Sequence, residues 1–378
     1  MKRMIFHLPE KLHDEPVSGS SLRPKKLIEA FKSIGYHVED ITGSHKERAK
    51  KIRRVKDSIL RGVKYEFLYS ESSNLPLPLS DPKHIPFYPI YDYIFFKWLK
   101  TKGIPIGIFY RDIHWRFDIY KRRFPFIKRI LSYPFYYYDL YQYAKLADVL
   151  FLPTRRMADY LPHTLRFMRI LDIPPGTQLY ETAEKVYNKP LSELHLIYVG
   201  GITPPLYDLT PLFNAIGWLK QYSNKKIYLT VCSREKELGK LKKYYPQIIL
   251  DTLPVRLLSC NNDKLKKVYE EADVVSLFLK FHPYYQVAAP VKLYEAIGFS
   301  KPVLTIKDTF MADFVTQNNI GWVIKDNIEE FVKWANHIFN DPGELLGKIE
   351  NVRKIKAMHT WERRAYKIAD FFSTLLAY

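Results

Sequence analysis

The sequence predicts an α/β fold of two domains, each built on a parallel sheet, and three observations carry that expectation. Short β-rich runs alternate with amphipathic helical stretches along the first half of the chain, and the same rhythm begins again near Leu194. Alternation of this kind joins neighbouring strands through helical crossovers, which makes the sheets parallel. The 378 residues, 47% of them hydrophobic, suffice for two buried cores.

In chain order, Met4-Ile5-Phe6 reads as a first buried strand, followed by a helix starting near Pro24 and running over Lys25 to Ser33. Strands are expected at Glu66 to Tyr69, Pro105 to Tyr110 and Val149 to Leu152, the last leading into a short helix at Arg156 to Leu161. Pro174-Pro175-Gly176 opens a connector reaching about Pro190, which sets the expected boundary between residues 1–175 and 176–360. The second half places strands at Leu194 to Val199, Lys226 to Cys232, Ile248 to Leu250, Val274 to Leu277 and Pro302 to Ile306, separated by helices.

Composition excludes several classes. Two cysteines, Cys232 and Cys260, without CxxC spacing or clustered histidines, supply neither a disulfide framework nor a metal-ligand set, and a reducing compartment is expected. The apolar start up to Leu8 is too short for a signal peptide, and no run of about eighteen apolar residues spans a bilayer. The net charge of +19 is uneven: residues 1–180 hold 32 Lys+Arg against 18 Asp+Glu. A basic surface of that kind draws phosphorylated ligands, nucleic acid or anionic lipid, and charge alone does not separate them.

Ligands of open parallel sheets bind beyond the carboxyl ends of the strands, so a site in a cleft between the two sheets is expected. In the second half, Gly200-Gly201 follows a strand and lets the backbone approach a phosphate, or simply makes a tight turn. Pro290 to Gly298 reads as a helix with proline at its first position and glycine at its end. Its N-terminus suits a pyrophosphate, Lys292 adds a charge in the first turn, and Glu295 on the same face can accept from a ribose diol. An ordinary surface Lys–Glu pair has the same spacing.

These residues resemble the donor-site signature of family 4 glycosyltransferases (group 1) and their relatives. Pro290-x-Lys292-x-x-Glu295 is followed by Lys301-Pro302-Val303 and preceded by Ala272-Asp273-Val274. Tyr198-Val199-Gly200-Gly201, Ala147-Asp148-Val149, Pro174-Pro175-Gly176, Gly321 and Trp361-Glu362-Arg363-Arg364-Ala365 extend the match in order along nearly the whole chain. The resemblance implies a GT-B fold of two Rossmann-like domains facing each other across a cleft, with the last helix, about 361–378, returning to the first domain. It also implies a nucleoside-diphosphate sugar as donor substrate, its pyrophosphate on Lys292, its ribose on Glu295 and its sugar phosphate at Gly200-Gly201. Two departures stand out. The family's second glutamate, eight positions before Glu295, is Val287, and the basic pair after the glycines is replaced by Pro204-Pro205-Leu206-Tyr207-Asp208. Arg234, after the strand ending at Cys232, is the candidate for the missing charge, or else a solvated loop arginine.

The first half offers the catalytic candidates. Ile106 to Trp115 reads as a strand running into a polar cluster, Arg111-Asp112-Ile113-His114, and resembles the family's strand ending in His-Asp, with Arg111 in the histidine's place. Asp112 would accept the proton of an attacking hydroxyl, with His114 as a second candidate; Asp112 pairing with Arg111 or capping the next turn is the structural reading. Ser70-Glu71-Ser72-Ser73-Asn74 suits sugar recognition through Ser72 and Asn74, and Glu71 is a reserve base. Ser18, Gly19 and Ser20 resemble the family's glycine-rich first loop, with amides toward acceptor or donor phosphate, and equally fit a helix cap.

Basic and aromatic residues alternate from Trp115 to Tyr143, with a similar mixture from Tyr91 to Lys100, and that composition fits docking on an anionic membrane surface, with part of the aromatics in the core. Single-stranded nucleic acid uses the same residue types, but the parallel sheets and the donor signature argue against it. The expected protein is therefore a cytoplasmic glycosyltransferase at the inner face of the plasma membrane. It would take a UDP-sugar without a metal or other cofactor and act on a lipid-linked sugar or glycan in polysaccharide assembly. A nucleotide-sugar epimerase, and a basic scaffold or nucleic-acid-binding protein, are the alternatives.

Overall fold

A computed structural model describes the chain except residues 1, 13–18, 82–83, 87, 166, 183–184, 186, 188–189, 249–251, 260–261 and 377–378; of 19, 20, 164, 262 and 263 it describes the backbone alone. The chain divides into two compact units, residues 1–176 with 361–378, and residues 177–360.

Unit 1 contains β1 (Lys2–Leu8), α1 (Gly19–Ser33), β2 (Tyr36–Thr42), α2 (His45–Leu60), β3 (Phe67–Glu71), α3 (Tyr91–Thr101) and β4 (Ile106–Phe109). α4 (Asp118–Arg123), α5 (Phe126–Leu146), β5 (Val149–Leu152) and β6 (Ile170–Asp172) follow. Its sheet runs β2-β1-β3-β4-β5-β6, with every pairing parallel. Unit 2 contains β7 (Glu193–Val199), α6 (Thr210–Tyr222), β8 (Lys226–Ser233), α7 (Glu235–Leu238), α8 (Leu241–Tyr244), β9 (Val255–Ser259), α9 (Asn262–Glu271) and β10 (Val274–Leu277). It continues with α10 (Val291–Gly298), β11 (Val303–Ile306), α11 (Phe310–Asn318), β12 (Gly321–Ile324), α12 (Ile328–Asn340) and α13 (Pro342–Ile355). The second sheet runs β12-β11-β10-β7-β8-β9, again all parallel. α14 (Trp361–Leu376) belongs to unit 1.

The central strands β1, β3, β4, β5, β10 and β11 are buried over nearly their whole length, as strands covered by helices on both faces must be. Each sheet locks its register with the same device. Asp148, just before β5, accepts from the Ile106 amide at the start of β4 (2.8 Å), and Asp273, just before β10, accepts from the His195 amide in β7 (2.8 Å). The two Ala-Asp-Val motifs therefore brace the amino edges of the sheets, opposite the edges where ligands are expected.

α14 completes the first core. Phe372 stacks on Phe67 at 4.4 Å, and Ala365, Ile368 and Phe372 are buried with Phe151 and Val149. Arg364 donates to the Pro174 and Pro175 carbonyls (3.1 and 3.2 Å), and a Cβ at Gly176 would run into the Trp361 backbone.

Two expectations are corrected and a third meets residues that are not described. α1 begins at Gly19, ahead of Pro24, so Gly19 and Ser20 are its first residues and not a loop. The strand expected at Ile248 to Leu250 falls, but for Ile248, outside the described residues, and the third described strand of unit 2 is β9, Val255–Ser259. Cys232, near the end of β8, is disulfide-bonded, against the expectation of two thiols; the other cysteine, Cys260, lies outside the described residues.

Candidate functional site

The carboxyl edge of the second sheet gathers the expected phosphate-binding residues. β7 is followed by Gly200, whose φ of +143° suits glycine and whose missing Cβ leaves room for Lys292 Nζ. Pro290 is the N-cap of α10, one position earlier than expected, so Lys292 is the second helical residue, at the positive end of the helix. Lys292 Nζ donates to Tyr198 Oη (2.9 Å) and lies 4.4 and 4.9 Å from the Tyr198 and Tyr207 ring centroids. Loss of water around this ammonium outweighs the pull of Glu295 and brings its pKa down to about 7.

Glu295 has its carboxyl withdrawn from water, which pushes its pKa up; Tyr269 Oη, its hydrogen-bond donor at 3.4 Å, and Lys292 act the other way. Phe299 is sandwiched between Tyr180 (3.9 Å) and Tyr269 (4.3 Å) with the three rings nearly parallel. Gly298 is required by packing: a Cβ there would strike Thr177 and the Gln178 carbonyl. Arg234 is 63% exposed and ion-paired with Glu237, and the other oxygen of Glu237 accepts from the Ile202 amide (2.9 Å). Arg234 thus sits at the rim of the Gly200-Gly201 turn, reached through a carboxylate. Val287 is buried where the family glutamate is usual.

In unit 1 the polar residues at the carboxyl edge are largely engaged with one another. Asp112 accepts from the His114 amide (2.9 Å), the capping arrangement, and its second oxygen lies 3.2 Å from His114 Nδ1. The His114 ring is buried edge-on to Tyr120 and Tyr136. Glu71 is fully buried and receives Arg23 Nε (3.1 Å), Tyr69 Oη (3.1 Å) and Arg111 Nη2 (3.4 Å). With both oxygens held by two guanidinium groups and a phenol, Glu71 organises the strand ends. Ser72 is buried, its Oγ accepting from the Arg111 amide (2.9 Å), so it braces the backbone. Asn74 is exposed, and its carbonyl accepts from Tyr136 Oη (3.0 Å). Ser18 lies outside the described residues, and only the backbone of Gly19 and Ser20 is described.

Sequence reading missed two groups. Tyr269, Phe299 and Tyr180 around Glu295 come from three separate segments, and only the fold joins them. The second is a buried network: Arg48 forks onto Asp92 (3.0 and 2.9 Å), and His7 bridges Asp92 (3.1 Å) and Ser70 (2.8 Å), its pKa lowered by burial. The expected basic-aromatic face is corrected in part, since Trp115, Tyr120, Tyr136, Tyr143, Tyr93, Phe95 and Phe96 are all core. The exposed apolar and aromatic residues of the Trp115–Tyr143 stretch, Phe126, Ile127, Ile130 and Leu131 with Tyr137 and Tyr141, lie on α5, while exposed cations also stand on α3 and α4.

Residues 180–355 match the family model described as glycosyl transferases group 1. No curated relative matches the chain. By structure the chain is similar to sucrose-phosphate synthase from Thermosynechococcus elongatus, with TM-score 0.64 and 15% identity over 100% of both chains. It is also similar to Anabaena HepE in complex with UDP-glucose, with TM-score 0.62 and 12% identity over 98% of this chain and 99% of that one. A third is WaaG, a glycosyltransferase involved in lipopolysaccharide biosynthesis, with TM-score 0.58 and 17% identity over 97% and 99%. At such identities the likeness is one of fold: two parallel-sheet α/β units in the GT-B manner, with a last helix that returns to the first unit.

Proposed function

We propose, from the premise that its second unit is a group 1 glycosyltransferase domain, that this chain transfers a sugar from a nucleoside-diphosphate sugar to a glycan or lipid-linked sugar. The observation that carries the reading is the placement of Lys292 Nζ in the space left by Gly200, beside the first turn of α10. That arrangement offers a diphosphate a full charge, free helix amides and a close backbone at one point. Glu295 takes the ribose diol, and Arg234 swings from Glu237 to the departing phosphate. The donor in this reading is a UDP-sugar, used without a metal because Lys292, Arg234 and the helix terminus meet the charge of the leaving group.

In the reaction, an acceptor hydroxyl oxygen bonds to the anomeric carbon, the bond from that carbon to the phosphate oxygen breaks, and UDP leaves with the electron pair. With inversion, Asp112 takes the hydroxyl proton; with retention, which the family likeness favours, the leaving phosphate takes it and Asp112 orients the acceptor. The setting is assembly of a cell-surface polysaccharide or glycoconjugate at the inner face of the plasma membrane. The attachment in this reading is peripheral; among the described residues no helix is long and apolar enough to cross a membrane.

The test is a thermal-shift panel of nucleoside diphosphates and their sugars, followed by UDP release in the presence of liposomes. Selective stabilisation by UDP or a UDP-sugar, with slow UDP release, is expected. Conversion of the sugar without release would make the protein an epimerase, and no stabilisation by any nucleotide would remove the transferase reading.

A further inference from the structure

We infer that the first two turns of α5 are a seat for an anionic lipid bilayer, with Phe126, Ile127, Ile130 and Leu131 entering the headgroup–acyl boundary. This deepens the proposed function by giving its membrane attachment a location, and it rests on that reading only for its purpose. The four side chains are 66%, 71%, 51% and 64% exposed. Single exposed apolar residues are ordinary, but four large ones within six positions of one helix are not. Ile127, Ile130 and Leu131 share a face by helical spacing. The inward face of α5, built from Ser132, Tyr136, Asp139, Leu140, Tyr143 and Leu146, starts only after them. Pro134, which cannot donate to the turn before it, stands near the junction.

Charge selects the occupant. Residues 119–138 contain five Lys and Arg and no Asp or Glu. Lys121, Arg122, Arg123 and Lys128 are exposed around the apolar group, and the nearest acid, Asp118, is paired with Lys121 (3.4 Å) and Arg122 (4.0 Å). A second copy of this chain meeting the patch symmetrically would bring like charges together. Nucleic acid would want exposed rings on which bases stack, whereas three of the four side chains are aliphatic. A bilayer with anionic headgroups takes both features, cations at the surface and aliphatic groups just beneath it.

Flotation of the full chain with phosphatidylcholine vesicles, and with vesicles that also contain phosphatidylglycerol, tests the seat. Binding is expected to the anionic vesicles and to weaken with salt. The triple change Ile127→Ser, Ile130→Ser, Leu131→Ser should lower it by about tenfold or more, while Leu60→Ser, an isolated exposed residue on α2, leaves it unchanged. If the triple variant folds poorly, Ile127→Cys carrying an environment-sensitive fluorophore should shift to the blue on anionic vesicles. Flotation equal to the parent, or no spectral shift, overturns the seat. So does a dimer dispersed by the triple change, or oligonucleotide binding lost with it, when vesicles do not bind. Stabilisation by UDP, measured on the same samples, separates the two ideas: a chain that floats but ignores UDP loses the transferase reading and keeps the seat.

Discussion

The two units share an architecture and differ at the edge where chemistry is expected. In unit 2 the charged pair at the sheet edge is thinly partnered: Lys292 and Glu295 have one tyrosine each in the described hydrogen bonds, and loss of water moves both away from their ordinary ionisation. In unit 1 the corresponding edge is densely paired, with Glu71, Arg23, Arg111 and Ser72 closing on each other and Asp112 tied to His114, and only single nitrogens of Arg23, Arg111 and His114 are left over among the described residues. A site that must receive a charged ligand keeps charge in reserve, whereas a wall of paired charges serves mainly to hold shape. The difference teaches that polar residues after a strand are not equivalent candidates, because their partners decide how much they have left to offer.

The sharpest way to break this contrast is Asp112→Asn. Turnover is expected to fall about a hundredfold to ten-thousandfold, with UDP-induced stabilisation retained, as read from steady-state rates and thermal shifts. Full activity would move Asp112 into the structural wall. Next comes Glu71→Ala, expected to cost about 3–5 kcal/mol in urea unfolding because it strands the buried Arg23 guanidinium and leaves Arg111 with Glu10 alone. A normal melting curve with activity abolished would restore Glu71 as a base.

Lys292→Met should weaken UDP binding about 10- to 100-fold by calorimetry. The same residue sets a pH dependence. A lysine depressed to about 7 is charged below that value and neutral above it, and a diphosphate needs the charged form. Binding therefore takes up a proton, UDP affinity of the parent falls as pH rises through about 7, and Lys292→Met should lose that slope. The smallest effect is expected from Gly200→Ala, about 1–2 kcal/mol by thermal unfolding, from a positive φ and a crowded Lys292.

Legibility in the sequence followed burial. β5 and β10, covered on both faces, stand at the residues read from their apolar runs, Val149–Leu152 and Val274–Leu277. Of the outermost strands, β2, β6 and β9 escaped and are only partly buried, so no apolar pattern marks them, whereas the mostly buried β12 begins at Gly321, which the family resemblance marks. The site divides on similar lines. Lys292 and Glu295 lie on one short helix, so local spacing announces them, whereas Arg23 reaches Glu71 across 48 positions and Arg48 reaches Asp92 across 44, contacts that exist only once the chain has folded.

The final helix carries a consequence for how the protein is made. Its Phe372, Ile368 and Ala365 fill the first core against Phe67 and Phe151, yet they leave the ribosome after all of unit 2. The unit translated first is therefore finished last. A nascent chain stopped before Trp361 holds a closed second unit and an open first one, the state in which chaperone capture or aggregation would concentrate.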